Sequence, residues 1–343
     1  MVQALVRELE LRKDYLRGQP IQTIYFGGGT PSLLSEKELY QILQAVRKHY
    51  TVSSSVEQTI ECNPEDLTEE TLYTLFQLGF HRLSIGIQTF DDAILRFMNR
   101  NHTAAEAQQA VRKAKEHGFE NLTIDLMYAL PNAASSILEQ DLEKALELDI
   151  PHISAYCFTL EEKTVFGKWA AQKKISPQEE DFERAQYTML TDALSDAGFE
   201  QYEISNFARH GQYSKHNTAY WFGTHYLGIG PGAHSFNGTQ RHWNISNNPR
   251  YIAHLQQEIL PLEQENLTKR DHINERLLTR LRTKWGINTR ELQDAFDFDL
   301  LKERSSEIQR FISQGGIRKE STTLFLTENG KLIADRIIAD LML

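Results

Sequence analysis

The sequence predicts an α/β protein: a partial (β/α) TIM-like barrel followed by a winged-helix-like helical module. Three observations carry that expectation. Strand-like apolar runs alternate with helical patterns through the first 200 residues. The texture then changes to an aromatic stretch rich in glycine and histidine. Beyond residue 265 the helical periods return and end in a hairpin signal, "GIRKESTTLFLTENG". On these shifts the chain divides into a barrel portion at 1–200, a covering segment at 201–265 and a C-terminal module at 266–343.

The strand runs come in order as "IQTIYFG" (21–27), "VEQTIEC" (56–62), "HRLSIGIQ" (81–88), "NLTIDLMYAL" (121–130) and "HISAYCFTL" (152–160). Helical patterns fill 35–49, 68–78, 91–98, 103–117 and 135–148 between them. Ser35 with Glu38, and Thr68 with Thr71, read as helix starts. Gly79 and Gly118, each followed by phenylalanine, read as stops. Repeated strand–helix units favour a parallel sheet with right-handed crossovers. Five such strands without a reversal favour a barrel, or part of one, over a small doubly wound sheet. Polar residues recur where these strands end: Glu61 with Asn63, Gln88, Asp125, and Tyr156 with Thr159. In barrels of this kind the strand C-termini build the site. Beyond the covering segment, helices are expected near 270–283, 289–295 and 299–313, then the hairpin and an amphipathic helix to 341.

Composition narrows the function. The 343 residues carry 37 basic against 47 acidic side chains, a net charge of −10, which argues against a broad nucleic-acid surface. No apolar run approaches the ~18 residues of a membrane span, and the charged start "MVQALVRELELRKDYLRGQ" lacks a signal-peptide core. A cytoplasmic protein is the expectation. The two cysteines, Cys62 and Cys157, are too few for a disulfide framework or a zinc site and read as reduced structural residues.

Gly27, Gly28 and Gly29, followed by Thr30 and Pro31, form a turn that exposes backbone groups. The P-loop reading fails because no lysine follows at the required spacing. The dinucleotide reading fails because a third spaced glycine is absent. A tight structural turn accounts for the stretch alone. Glycine at a strand edge also lets backbone meet a small zwitterion such as an amino acid. There Glu61 and Arg100 suit its charged ends, and Gln88 and Asp125 suit ribose hydroxyls.

"GGGTPSLL", "ECNPE", "RLSIGIQTF", "MNRNH" and "DLMYALP", in this order, resemble radical S-adenosylmethionine proteins of the coproporphyrinogen-dehydrogenase group. "HNTAYWFGTHYLGIGPGAHSF" resembles the haem-chaperone subgroup of that family. The resemblance implies that Gly28, Gly29 and Thr30 line the methionine moiety of S-adenosylmethionine, with Glu61, Gln88, Arg100 and Asp125 holding the rest. It implies haem as a second ligand, His216 as its candidate axial residue, and a haem-accepting protein as partner. A histidine among aromatics also serves as a hydrogen-bonded structural residue, and His225 and His234 are further candidates.

The family also holds a [4Fe–4S] cluster on CxxxCxxC, upstream of the glycine turn. No cysteine occurs in residues 1–20 here. The first strand and cluster loop of the family are therefore expected to be missing, no metal ligand set is expected, and no cluster is expected to bind this chain. A missing strand would leave an edge beside "IQTIYFG" open to pairing, so a homodimer is one expectation. The resemblance leaves two alternatives to a haem chaperone: an oxygen-independent coproporphyrinogen III dehydrogenase, or a binding scaffold without a cluster.

Overall fold

Each of the five expected strands forms, within a few residues of its expected bounds. In the computed structural model, which describes residues 1–131, 133–160, 164–176 and 178–343, these are β1 (Ile21–Phe26), β2 (Val52–Cys62), β3 (Arg82–Gln88), β4 (Asn121–Tyr128) and β5 (His152–Cys157). Two short strands, β6 (Glu200–Glu203) and β7 (Asn206–Ala208), complete a seven-stranded sheet of order β1-β2-β3-β4-β5-β7-β6. The pairs from β2 through β5 are parallel. The reversal that the sequence did not announce comes here: β7 runs antiparallel to both β5 and β6. A two-residue turn at 204–205 closes the β6–β7 hairpin.

By contact the chain divides into two compact units, Met1–Ile24 with Leu34–Glu57 and Ser214–Leu343, and Tyr25–Leu33 with Gln58–Tyr213. In the second unit, helices Glu69–Gln77, Ala104–Glu116 and Ser135–Glu147 connect successive parallel strands. Ala107, Ala110, Val111 and Ala114 form the buried stripe of one of them, small enough to let the helix sit close. Leu83 and Ile85 on β3 and Ile124 on β4 are fully buried and share one face of the sheet, opposite Ser84 and Thr123. The expected starts and stops hold: Thr68 accepts from the Thr71 N–H, and Gly79 and Gly118 take left-handed φ of +85° and +88° after their helices.

Register does the positioning that matters. Glu61 pairs with Ser84, Ser84 with Thr123, and Asp125 with Ser154. Because side chains alternate with period two, these polar residues share one face of the sheet.

The other unit contains helices Val2–Leu11 and Glu36–His49, and the latter carries the expected capping box of Ser35 and Glu38. The stretch expected to be aperiodic is more regular than that. It holds helices Lys215–Trp221 and Asn248–Gln256 and an antiparallel sheet of order β10-β9-β8, formed by β8 (His234–Phe236), β9 (Gln240–Asn244) and β10 (Leu262–Asn266). The Ser214 and Asn247 side chains cap the two helices. Lys215–Trp221 buries none of its residues, so no apolar stripe marks it in the sequence.

In the C-terminal part, helices Lys269–Leu281, Thr289–Phe296 and Ser305–Ser313 precede a wing. The wing has three strands rather than two, because β11 (Ile287–Asn288) pairs with β13 (Thr323–Leu326) beside β12 (Ile317–Glu320). A last helix, Ala334–Leu341, ends the fold. No helix among the described residues is long and apolar enough to cross a membrane.

One buried charge ties distant parts of this unit together. Glu8 is 0% exposed. It accepts hydrogen bonds from Arg12 Nη1 at 3.2 Å, the Gly230 N–H at 2.9 Å, Asn244 Nδ2 at 2.7 Å and the Tyr251 hydroxyl. Arg12 also donates to the Gly228 carbonyl at 3.3 Å. A fully paired buried carboxylate of this kind specifies which segments meet.

Candidate functional site

Within the Tyr25–Leu33 and Gln58–Tyr213 unit, the strand ends bring the glycine turn against Glu61. The Gly28 N–H donates to Glu61 Oε2 at 3.0 Å and the Tyr25 hydroxyl to Oε1 at 2.7 Å. A Cβ on Gly27 would lie 2.5 Å from the Tyr25 ring and 2.8 Å from Glu61 Oε1. The space left at Gly27 is thus filled by the chain's own carboxylate and phenol. Gly28 and Gly29 have another reason to be glycine: their φ angles are +73° and +65°, and nothing lies within 4 Å of where a Cβ would be. The Thr30 carbonyl accepts from the Leu33 N–H at 3.2 Å and starts the short helical turn Pro31–Leu33.

Asp125 lies beside this group. Burial, reinforced by the charge of Glu61, pushes its carboxyl up to about 7, while the Ser84 hydroxyl, 3.3 and 3.4 Å from its oxygens, pulls the other way. Glu61 and Asp125 are two facing acids, and neither forms an ion pair with a described residue. A cation between them would offset the burial and the Glu61 charge that together hold the proton on Asp125.

Gln88 and Arg100 meet next door, around Gly86. The strand register shifts between Ile85 and Gln88, and Gln88 adopts φ of +72°. A Cβ on Gly86 would come within 3.0 Å of Gln88 Nε2 and 3.2 Å of Arg100 Nη2. Arg100 Nη2 donates to the Gly86 carbonyl at 2.6 Å and to Asn63 Oδ1 at 3.0 Å. Its Nε is buried without a hydrogen-bond partner among the described residues. An orphaned, charged donor of this kind is costly unless a ligand answers it. Two acids, an unanswered guanidinium N–H and bare turn backbone suit a zwitterion that carries an extra positive charge, and S-adenosylmethionine fits that description.

An iron–sulfur cluster does not fit the residues present. Cys62 is buried and Cys157 partly so, and burial pushes the Cys62 thiol far up and the Cys157 thiol to about 11, which disfavours the thiolate that iron needs. No group of three His, Cys, Asp or Glu side chains placed to hold a metal occurs among the described residues.

His216 lies in the other unit. Its Nδ1 shares a hydrogen bond with Thr23 Oγ1 at 3.0 Å. Its backbone N–H and that of Lys215 donate to the two oxygens of Glu57, at 2.9 and 3.1 Å. The buried Glu57 thereby satisfies two open amides in the first turn of helix Lys215–Trp221. Partial burial pulls the His216 imidazolium down to about 4, so the ring is neutral near pH 7. The Tyr220 ring packs edge-on at 5.0 Å, and Tyr226 lies 4.5 Å from Tyr220. His225 contacts the Phe236 ring edge-on, and His234 opens β8 and stacks on Trp243.

The reading of the sequence passed over Tyr25, Ser84, Thr23 and Glu57. Strand parity could have found the first two. Tyr25 shares a face with Gly27, and Ser84 lies two residues inside Gly86 on the face of Glu61. Nothing in the sequence pairs Thr23 or Glu57 with His216, because those contacts span 193 and 159 residues.

Comparison with known proteins adds an independent line. Residues 3–145 match the radical SAM superfamily, and residues 267–333 match the HemN C-terminal domain. A Lactococcus lactis protein named heme chaperone HemW is 33% identical over 325 residues, which covers 95% of this chain and 86% of the relative. The Bacillus subtilis protein of the same name is 33% identical over 323 residues, covering 93% and 85%. The solved structure of coproporphyrinogen III oxidase (HemN) from Escherichia coli, a radical SAM enzyme, matches with a TM-score of 0.85 at 21% identity, covering 99% of this chain and 82% of that one. The last likeness shows the fold.

Proposed function

We propose, since this chain belongs to the HemW family of radical S-adenosylmethionine proteins, that it binds haem and passes it to an acceptor protein. His216 carries the reading. A metal ligand must present a neutral imidazole whose other nitrogen is fixed by a hydrogen bond. His216 is neutral near pH 7, its Nδ1 is fixed by Thr23, and Tyr220 and Tyr226 give it an aromatic setting that suits a porphyrin face.

The strand-end site is the seat for S-adenosylmethionine. Gly28, Gly29 and Thr30 line its methionine end, Glu61 takes the ammonium, and Asp125 and Gln88 suit the ribose. The buried Nε of Arg100 answers a ligand acceptor. When bound, this molecule supplies a sulfonium cation, and its positive charge suits a site that holds two acids. The residues of this chain bind and orient it. The acceptor is a haem-receiving protein, and the protein acts in the cytoplasm. β1 is the outermost strand on one side of the sheet, an edge that supports pairing of two copies as a homodimer.

The test is a haem titration followed by the Soret band, with His216→Ala beside the parent. The variant should bind about tenfold more weakly or give a displaced band. Identical position and affinity would remove His216 from the role. Consumption of coproporphyrinogen III without haem binding would favour the dehydrogenase alternative.

A further inference from the structure

Arg100 is one of two side chains on the segment between helices Asp92–Phe97 and Ala104–Glu116 that grip the same pair of strand ends. The other is His102, a buried ring to which the functional reading assigns no part. Arg100 Nη2 donates to the Gly86 carbonyl and to Asn63 Oδ1. His102 Nε2 lies 3.3 Å from the next carbonyl along β3, that of Ile87, and its Nδ1 lies 3.0 Å from Glu65 Oε2. Two side chains, two residues apart, thus hold consecutive carbonyls of β3 and positions 63 and 65 of the turn after β2. Gln88 follows directly in its left-handed conformation, where the strand register shifts. A non-glycine residue keeps such a backbone only where its surroundings hold it there.

Chemistry fixes the protons on this ring. A carbonyl and a carboxylate both accept hydrogen bonds, and neither donates. A neutral imidazole has a single N–H and would leave its other nitrogen facing an oxygen with no proton between them. The imidazolium has two and answers both. The His102 side chain is 0% exposed and that of Glu65 27%, so the cation is buried and its counter-charge reaches water. The neighbouring elements add mostly negative charge. Glu106 is held low by the N–H and hydroxyl of Thr103 and, in smaller part, by the charge of His102. Asp92 accepts from the Ala104 N–H, and Asp66 is bonded to Ser32 and Asn63. Arg100 is the one competing cation bonded to these two strand ends among the described residues.

We propose that His102, as an imidazolium, is a positioning residue for the S-adenosylmethionine seat. It pins the Gln88 bend to the turn that carries Asn63, and the Arg100 guanidinium is held between those two segments with its Nε left for a ligand. Loss of one ring proton frees one of the two segments, so the seat loosens as pH rises. The sign is opposite to that of Asp125, whose proton competes with a cationic ligand at lower pH. Affinity therefore passes through a maximum in pH. The proposal rests on the S-adenosylmethionine reading for the choice of ligand only.

The experiment has two readouts on the full chain. Nitrogen-15 NMR of histidine-labelled protein, with His102 assigned by the signals a variant loses, should show both ring nitrogens protonated near pH 7. Calorimetric titration with S-adenosylmethionine should give a parent affinity that rises through the Asp125 window and falls again above it. His102→Gln keeps an amide donor suited to the Ile87 carbonyl, His102→Asn one suited to Glu65, and neither carries charge. Each should bind about tenfold more weakly and lose the alkaline fall. The parent spectrum and the parent pH profile decide even where a variant folds poorly. A single protonated ring nitrogen near pH 7 would overturn the proposal. So would variant affinities within about twofold of the parent with the alkaline fall intact. The two readings fail differently: a parent that binds no S-adenosylmethionine at any pH sinks the seat and this role with it. A parent that binds while both variants match it sinks the positioning role alone.

Discussion

Glu61 and His216 each stand at the centre of a polar network, and the two networks are built in different ways. Around Glu61, parallel register does the work: Ser84 and Asp125 arrive on one face because strands repeat every two residues. Around His216, register plays no part: Thr23 fixes the ring, and Glu57 accepts from the backbone N–H groups of Lys215 and His216. The first network leaves two acids facing each other and an unanswered arginine donor. The second leaves a neutral ring already held in one orientation. One site is completed by charge that a ligand brings, and the other is complete before a ligand comes.

The comparison can be broken at three places. The largest effect belongs to the buried node of the His216-bearing unit. Glu8→Ala leaves Arg12 buried with its main partner gone and should cost about 3–5 kcal/mol in urea unfolding. A loss below about 1 kcal/mol would mean the carboxylate is not what joins these segments.

Next is Asp125. In the folded chain it keeps its proton up to about 7, whereas an unfolded aspartate releases it near about 4. Between those values the folded state binds the extra proton, so this group makes stability fall as pH rises through the window. Asp125→Asn should flatten that slope and raise stability above pH 7 by on the order of 2 kcal/mol. If parent and variant show the same pH slope, Asp125 is not held protonated by burial and the Glu61 charge as described. The same proton competes with a cationic ligand, so parent affinity for S-adenosylmethionine should rise with pH across this range.

The smallest effect tests the preset ring. Thr23→Val removes the hydroxyl at Nδ1 and should lower haem affinity by about tenfold, some ~1.4 kcal/mol, with the fold intact. An unchanged titration would show that the ring needs no such support.

What could be read in advance follows the same division. Apolar runs alternating with helical periods made β1 to β5 and their helices legible, although β1 itself buries no residue fully, and strand-end polarity pointed to Glu61, Gln88 and Asp125. The β6–β7 hairpin escaped because its strands are four and three residues long, too short for alternation to register. Helix Lys215–Trp221 escaped because it has no buried face. Gly27 shows a subtler limit: its need for space was legible, but the occupant, Glu61, came from a neighbouring strand.

The Glu8 node also sets an order of events during synthesis. The first helix leaves the ribosome long before Gly230, Asn244 and Tyr251 exist, yet its fully dehydrated carboxylate needs all three. Until Tyr251 has been made, the Glu8 carboxylate lacks three of its four partners and that helix has only Glu36–His49 to pack on, while the unit built mainly from residues 58–213 already has all its own residues. Synthesis therefore supplies every residue of the sheet-bearing unit before it supplies the polar shell of Glu8.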